Sequence, residues 1–117
     1  MNAAIRVLSL AALAAACLAA AESKAPPPWE KPLALGRNLY RENCIVCHDI
    51  DQAETKKLGP SLFRLFQNEK LPHTGGKPSV EYVRIKIQFG GSEMPSFIKR
   101  LSADQIDGII DFIETKK

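Results

Sequence analysis

The sequence lacks any block of lysines and arginines long enough to make a nucleic-acid footprint, which argues against a nucleic acid as partner. Cysteine is scarce, with three in 117 residues, and so are methionine (two), histidine (two) and tryptophan (one). Apolar side chains are also thin outside one end. Eighteen of the first 21 residues are hydrophobic, against 35 of the remaining 96. Ninety-six residues hold one domain and not two. A domain this poor in apolar side chains rarely closes a large core alone, so a disulfide, a metal or a buried cofactor is expected to help. The net charge of +3 falls to +2 once Arg6 is set aside with the apolar end. No internal repeat, no low-complexity block beyond Pro26-Pro27-Pro28 and no sign of a sheet is present.

Residues 1–21 read as a secretory signal peptide. Arg6 supplies the charged start, Val7 to Leu18 the apolar stretch, and Ala19-Ala20-Ala21 the small residues of a cleavage site before Glu22. An uncleaved membrane anchor needs ~18–20 apolar residues, and the run from Val7 to Ala21 is 15 residues long with Ser9 inside it. Cys17 raises lipidation as a third reading. The aliphatic residue normally found three places before a lipoprotein cysteine stands one place too early here, at Leu13. The expected destination is export to the periplasm, with membrane contact only if the leader is retained or Cys17 is lipidated. Removal of the leader leaves Cys44 and Cys47 as the only cysteines.

Residues 22–32 carry four of the eight prolines and read as a polyproline-type tether, with Trp29 a semi-exposed residue in it. The domain then runs from 33 to 117. Leu35, Leu39 and Tyr40 give a helical stripe over Leu33–Asn43, and Gly36 inside it costs stability unless another backbone crosses there. Residues 60–66 read as a short helix with Pro60 in its first turn, and 67–78 as a loop. Residues 79–89 are ambiguous. Val83, Ile85, Ile87 and Phe89 alternate as a strand would, while the Ser79 cap and the Gly90 stop favour a helix. The C-terminal segment is clearest: Ser102 and Gln105 form a capping box, and Ile106, Ile109, Ile110 and Ile113 share one helix face. Asp104 near its start and Lys116 and Lys117 at its end suit the helix dipole.

The chemistry centres on Cys44-Ile45-Val46-Cys47-His48. Two thiols two residues apart, followed at once by histidine, match c-type haem attachment. Near a helix end both thiols reach the vinyl groups of one porphyrin, and the adjacent imidazole points at the iron. Export agrees, because c-type haem is attached outside the cytoplasm. Three other readings stand beside this one. A redox Cys-x-x-Cys opens a helix that follows a strand, and no strand precedes Cys44. Zinc needs four ligands, and the chain offers Cys44, Cys47, His48 and, remotely, His73. A plain disulfide would close too small a loop to constrain the unfolded chain.

A sixth ligand to the iron follows by elimination. Met1 leaves with the leader, so the choice is between Met94 and His73 or an open site. Met94 lies in the Gly90–Pro95 loop, where the following Pro95 biases it to an extended backbone. A lone methionine is more often core filler, but a turn cluster is an odd place for filler. His73, among Pro72, Thr74, Gly75 and Gly76, reads as a solvated loop residue.

With these motifs in place the sequence resembles the small class I cytochromes c, which are exported single-haem electron carriers. The resemblance runs from about Leu33 to Thr115. It rests on Gly36 and Tyr40 ahead of the Cys44–His48 motif, on Gly59-Pro60-x-Leu62, on Met94-Pro95-x-Phe97, and on the helix after Leu101-Ser102. It implies an all-α cytochrome c-type fold whose N- and C-terminal helices cross around one covalently attached haem c. It further implies that Gly36 and Tyr40 meet Phe112, that residues 79–89 are helical, and that the Pro60 carbonyl accepts the ring N–H of His48. Cys44 and Cys47 would then carry the thioethers, and His48 and Met94 the iron. The 67–78 loop carries no motif of the family.

The function expected is transfer of one electron between a redox donor and an acceptor protein, with no enzymatic chemistry at the iron. Lys56, Lys57, Lys99 and Arg100 are candidates for a docking rim, against the plainer reading of a solvated surface. Two alternatives are a haem subunit of a periplasmic dehydrogenase or oxidase, and a gas-binding or peroxidase-like protein with a labile Met94. A thiol oxidoreductase is the last, and it would show no haem absorption.

Overall fold

The computed structural model describes residues 30–117; the leader, the Pro26–Pro28 run and Trp29 lie outside the described residues. Three helices make up the regular structure: α1 (Glu30–Asn43), α2 (Val80–Phe89) and α3 (Ala103–Glu114), with a single turn of 3-10 helix at Leu65–Gln67. No strand occurs among the described residues. The fold is all-α, and α1 and α3 form its most extensive helix pair.

α1 begins three residues before Leu33 and takes in Glu30–Pro32, which the sequence assigns to the tether. Pro32 is third in the helix, where a backbone N–H has no partner to lose. The buried face of α1 is Gly36, Leu39 and Tyr40, while Leu35 is 52% exposed. The expected Leu35–Leu39–Tyr40 stripe is therefore shifted by one residue, and the glycine occupies its first place.

α3 matches expectation closely. Ser102 and Gln105 exchange both capping-box hydrogen bonds, at 3.2 and 2.9 Å. Ile106, Ile109, Ile110 and Ile113 are each 2% exposed or less. Complete burial of one such side chain is worth roughly 1.5–3 kcal/mol, so this face dominates the docking of α3. Its last turn holds no basic residue. Lys116 lies beyond the helix end, pairs with Asp51 at 2.6 Å and sits 5.2 Å above the Phe112 ring.

α2 settles the ambiguous segment as helix. Ser79 Oγ accepts the Tyr82 N–H at 3.1 Å, and the helix stops at Gly90, whose φ is 71°. Only Val83 and Ile87 of the alternating set are buried; Ile85 is 46% and Phe89 63% exposed. The expected helix at 60–66 does not form. The Leu62 N–H goes to the Asp49 carbonyl at 2.7 Å, and Arg64 takes a left-handed φ of 52°. Helical pairing starts only at Leu65.

The α1–α3 crossing depends on a pair of glycines with unequal roles. A Cβ on Gly36 would overlap the Gly108 carbonyl oxygen and stand 2.6 Å from its carbonyl carbon, whereas a Cβ on Gly108 would meet Gly36 Cα at an ordinary 3.8 Å. Gly36 therefore meets Gly108, and Phe112 packs on Tyr40 as expected, with ring centroids 5.6 Å apart and planes tilted by 54°. The two alanine substitutions should have opposite signs. Gly36→Ala should destabilise by about 1–3 kcal/mol through overpacking. Gly108→Ala should be neutral or stabilise by up to about 1 kcal/mol, the helix-interior cost of glycine. Denaturant unfolding of both variants checks the asymmetry.

Candidate functional site

Helical hydrogen bonding runs one residue beyond α1, with the Cys44 N–H donating to the Tyr40 carbonyl at 2.8 Å. The chain then turns back on itself. The N–H groups of Cys47 and His48 both donate to the Cys44 carbonyl, at 3.1 and 2.9 Å. This turn brings Cys44, Cys47 and His48 onto one wall of a cavity of about 330 Å³. Leu65, Val83, Ile87, Phe97, Ile109 and Ile113 also line it, and the Ser92–Pro95 loop adds Met94.

His48 is oriented from two sides. Its ring Nδ1 lies 2.8 Å from the Pro60 carbonyl oxygen, the contact that the family resemblance implies. A carbonyl can only accept, so Nδ1 carries the proton, and in the neutral ring Nε2 keeps a lone pair for a metal. Pro60 is held in place by its neighbour, since the Gly59 N–H donates to the Cys47 carbonyl at 2.8 Å. A Cβ on Gly59 would stand 2.7 Å from His48 Nδ1, which explains the glycine before the proline. On the main-chain side, the Tyr40 hydroxyl donates to the His48 carbonyl at 3.0 Å.

Met94 is half-buried on its loop, with its carbonyl accepting the Gly91 N–H at 2.8 Å. The loop beyond it is tied to the end of α2, as the Phe97 N–H donates to the Ile87 carbonyl at 3.1 Å. His73 lines the same cavity from an exposed loop closed by the Leu71 N–H on the Gly76 carbonyl at 2.7 Å. The two candidate sixth ligands therefore share one cavity and differ in burial, Met94 being half-buried and His73 exposed.

Lys57 departs from the docking-rim expectation. Its ammonium pairs with Asp49 at 2.8 Å and donates to the carbonyls of Ile45 at 2.6 Å and His48 at 3.2 Å. Arg100 donates to Asn43 at 3.3 Å and lies over the Phe97 ring. Lys56 and Lys99 are exposed. Lysine spacing carried no sign of the Lys57 contacts, because its partners lie 8, 9 and 12 residues away across a loop.

Burial, and then the nearby Cys47, push the Cys44 thiol up to about 11. A thiol protonated at neutral pH is a poor nucleophile, which counts against thiol redox chemistry. Hydrogen bonds from Lys57 and Thr55 hold the Asp49 carboxyl below its ordinary range. Among the described residues no three His, Cys, Asp or Glu side chains gather as a metal-ion site. The donor set suits a c-type haem: a thiol pair and its adjacent imidazole on one wall, a thioether on the loop, and apolar side chains between them.

An all-helical domain built in this way is a c-type cytochrome domain. Residues 31–113 match the family model described as cytochrome C oxidase, cbb3-type, subunit III. The chain is 25% identical over 81 residues to cytochrome c6 of Bryopsis maxima, covering 69% of this chain and 88% of that one. It is 30% identical over 79 residues to cytochrome c-550 of Bacillus subtilis strain 168, covering 68% of this chain and 55% of that one. Among solved structures it is similar to the c-type cytochrome SorU from Sinorhizobium meliloti, with a TM-score of 0.53 and 26% identity over 74% of this chain and 92% of that one. The chain therefore belongs to the class I cytochrome c family, as a c-type haem electron carrier whose cofactor is covalently attached haem c.

Tyr40 gives the site a pH signature. Its hydroxyl is pushed well above the ordinary phenol range by burial first and by the charges of Cys44, Asp49 and Asp51 after it. A pKa raised in the folded state means stability that is complete below the unfolded value, about 10, and lost as pH rises past it. Unfolding stability should fall above about pH 10, and Tyr40→Phe should flatten that fall. The same variant should lose about 0.5–1.5 kcal/mol at neutral pH with the hydrogen bond to His48. Thermal unfolding as a function of pH measures both effects.

Proposed function

We propose that this chain is an exported single-haem carrier that moves one electron between a donor and an acceptor protein. In this reading Cys44 and Cys47 would hold the haem by thioethers, and His48 and Met94 would ligate its iron. The observation that carries the proposal is the presence of these four side chains on one largely apolar cavity in a fold of this family. Haem c, when bound, supplies a one-electron iron couple.

The residues divide the remaining work. Cys44 and Cys47 fix the cofactor to the turn after α1. His48, with Nδ1 committed to Pro60, presents Nε2 in an orientation fixed by that hydrogen bond. Met94, as a ligand, would stabilise the reduced state and raise the potential compared with a second histidine. With His48 and Met94 both given to the iron, the site would offer a substrate no free ligand position, which suits a carrier. Residues 1–21 support export to the periplasm, and no helix among the described residues is long and apolar enough to cross a membrane. Lys56 and Lys99, exposed on the surface, are the docking-rim candidates that make no internal contacts of the Lys57 kind.

A second reading, a haem subunit fixed to a periplasmic dehydrogenase or oxidase, draws support from the description of the matching family model. Co-purification with a larger redox enzyme from the native membrane would favour it. A monomeric protein released in the periplasmic fraction favours the shuttle.

Visible spectra of protein purified from cells that mature c-type haem test the ligands. The reduced protein should show the α band of a thioether haem, and the oxidised protein a weak far-red sulfur-to-iron band. Met94→Ala should abolish the far-red band and admit carbon monoxide to the reduced iron. It should also lower the ferrous-to-ferric ratio at fixed potential by about tenfold or more, which is about 59 mV for one electron. His73→Ala should change none of these. The reverse pattern would assign the sixth position to His73, and carbon monoxide binding to the unmodified protein would favour a gas-binding function.

A further inference from the structure

We propose that Lys57 and Asp49 form a charge pair that positions the haem-attachment turn and whose balance of charge tunes the reduction potential of the iron. The proposal rests on His48 as an iron ligand. An ammonium has three donors, and that of Lys57 finds three acceptors: Asp49 Oδ1 at 2.8 Å, the Ile45 carbonyl at 2.6 Å and the His48 carbonyl at 3.2 Å. Asp49 is held in turn by the Thr55 hydroxyl, which donates to Oδ2 at 2.6 Å, and Thr55 Oγ1 accepts the Lys57 N–H at 3.1 Å. The lysine is thus fixed at both its main chain and its head.

The two carbonyls belong to the segment that follows α1, beyond the reach of its helical hydrogen bonds. A cation there satisfies them and ties the turn together. The His48 carbonyl receives two donors, the buried Tyr40 hydroxyl and the Lys57 ammonium, whose side chain is 32% exposed. Main-chain motion at His48 is therefore restrained from the core and from the surface.

The same pair places two opposite charges beside a residue that binds the iron. While both are present their fields largely cancel. Without the ammonium, the Asp49 carboxylate favours the ferric state, and the potential falls. Without the carboxylate, the ammonium favours the ferrous state, and the potential rises. Partial exposure weakens each effect, so a change of about threefold in the ferrous-to-ferric ratio is expected in each direction. A lysine acting only in packing would change stability and leave these opposite signs absent.

Equilibrium redox titration of the purified holoprotein, with K57M, D49N and the double variant, tests the proposal. K57M keeps the aliphatic stem and should lower the ferrous-to-ferric ratio at fixed potential; D49N should raise it. The double variant should return toward the unmodified value, giving a non-additive cycle. If K57M and D49N both leave the ratio unchanged, or move it the same way while every variant keeps its thioether α band, the proposal is overturned and the ligand reading stands. If the unmodified protein has no such band, the ligand reading fails and takes this proposal with it.

Discussion

Twelve apolar residues are buried in the described part of this chain, and half of them, Leu65, Val83, Ile87, Phe97, Ile109 and Ile113, also line the cavity beside His48. A core arranged in this way cannot be completed by the protein's own side chains, because packing density in a folded interior leaves few voids larger than water. The haem c of this family is the missing apolar mass. A covalent cofactor differs from a dissociable ligand in that its contribution to stability does not vary with ligand concentration. The poverty of apolar residues beyond residue 21 and the presence of a large flat cofactor are two sides of one constraint.

Tyr40 links that core to the Cys44–His48 turn. Its ring packs against Phe112 across the α1–α3 crossing, and its hydroxyl holds the His48 carbonyl. The crossing itself is set by Gly36 against Gly108. The position of the histidine main chain is therefore fixed by the same contact that docks the two longest helices, before Pro60 orients the imidazole ring. Helix packing, ring orientation and surface charge act on one residue from three directions.

Motifs whose meaning is local were legible in the sequence. The Cys44–His48 spacing, the Ser102–Gln105 box and the isoleucine face of α3 needed no tertiary information. The Pro60 contact was reached only through the family resemblance, since nothing in the spacing of Gly59-Pro60 points to a histidine 12 residues back. The 60–66 helix failed because Pro60 and Leu62 spend their backbone groups on His48 and Asp49, partners that propensity does not include. The alternation over 83–89 misled because Ile85 and Phe89 are apolar but exposed. Gly108 gave no sign beyond a glycine in a helix, and Lys57 looked like any surface lysine.

The most direct test of His48 and Met94 sharing one iron is proton NMR of the reduced holoprotein. The predicted result is a single methionine methyl resonance carried far upfield by the ring current of the porphyrin, as expected for a thioether held against the iron. A methionine methyl at its ordinary position, with the ring protons of a second histidine shifted upfield instead, would contradict it and place His73 on the iron.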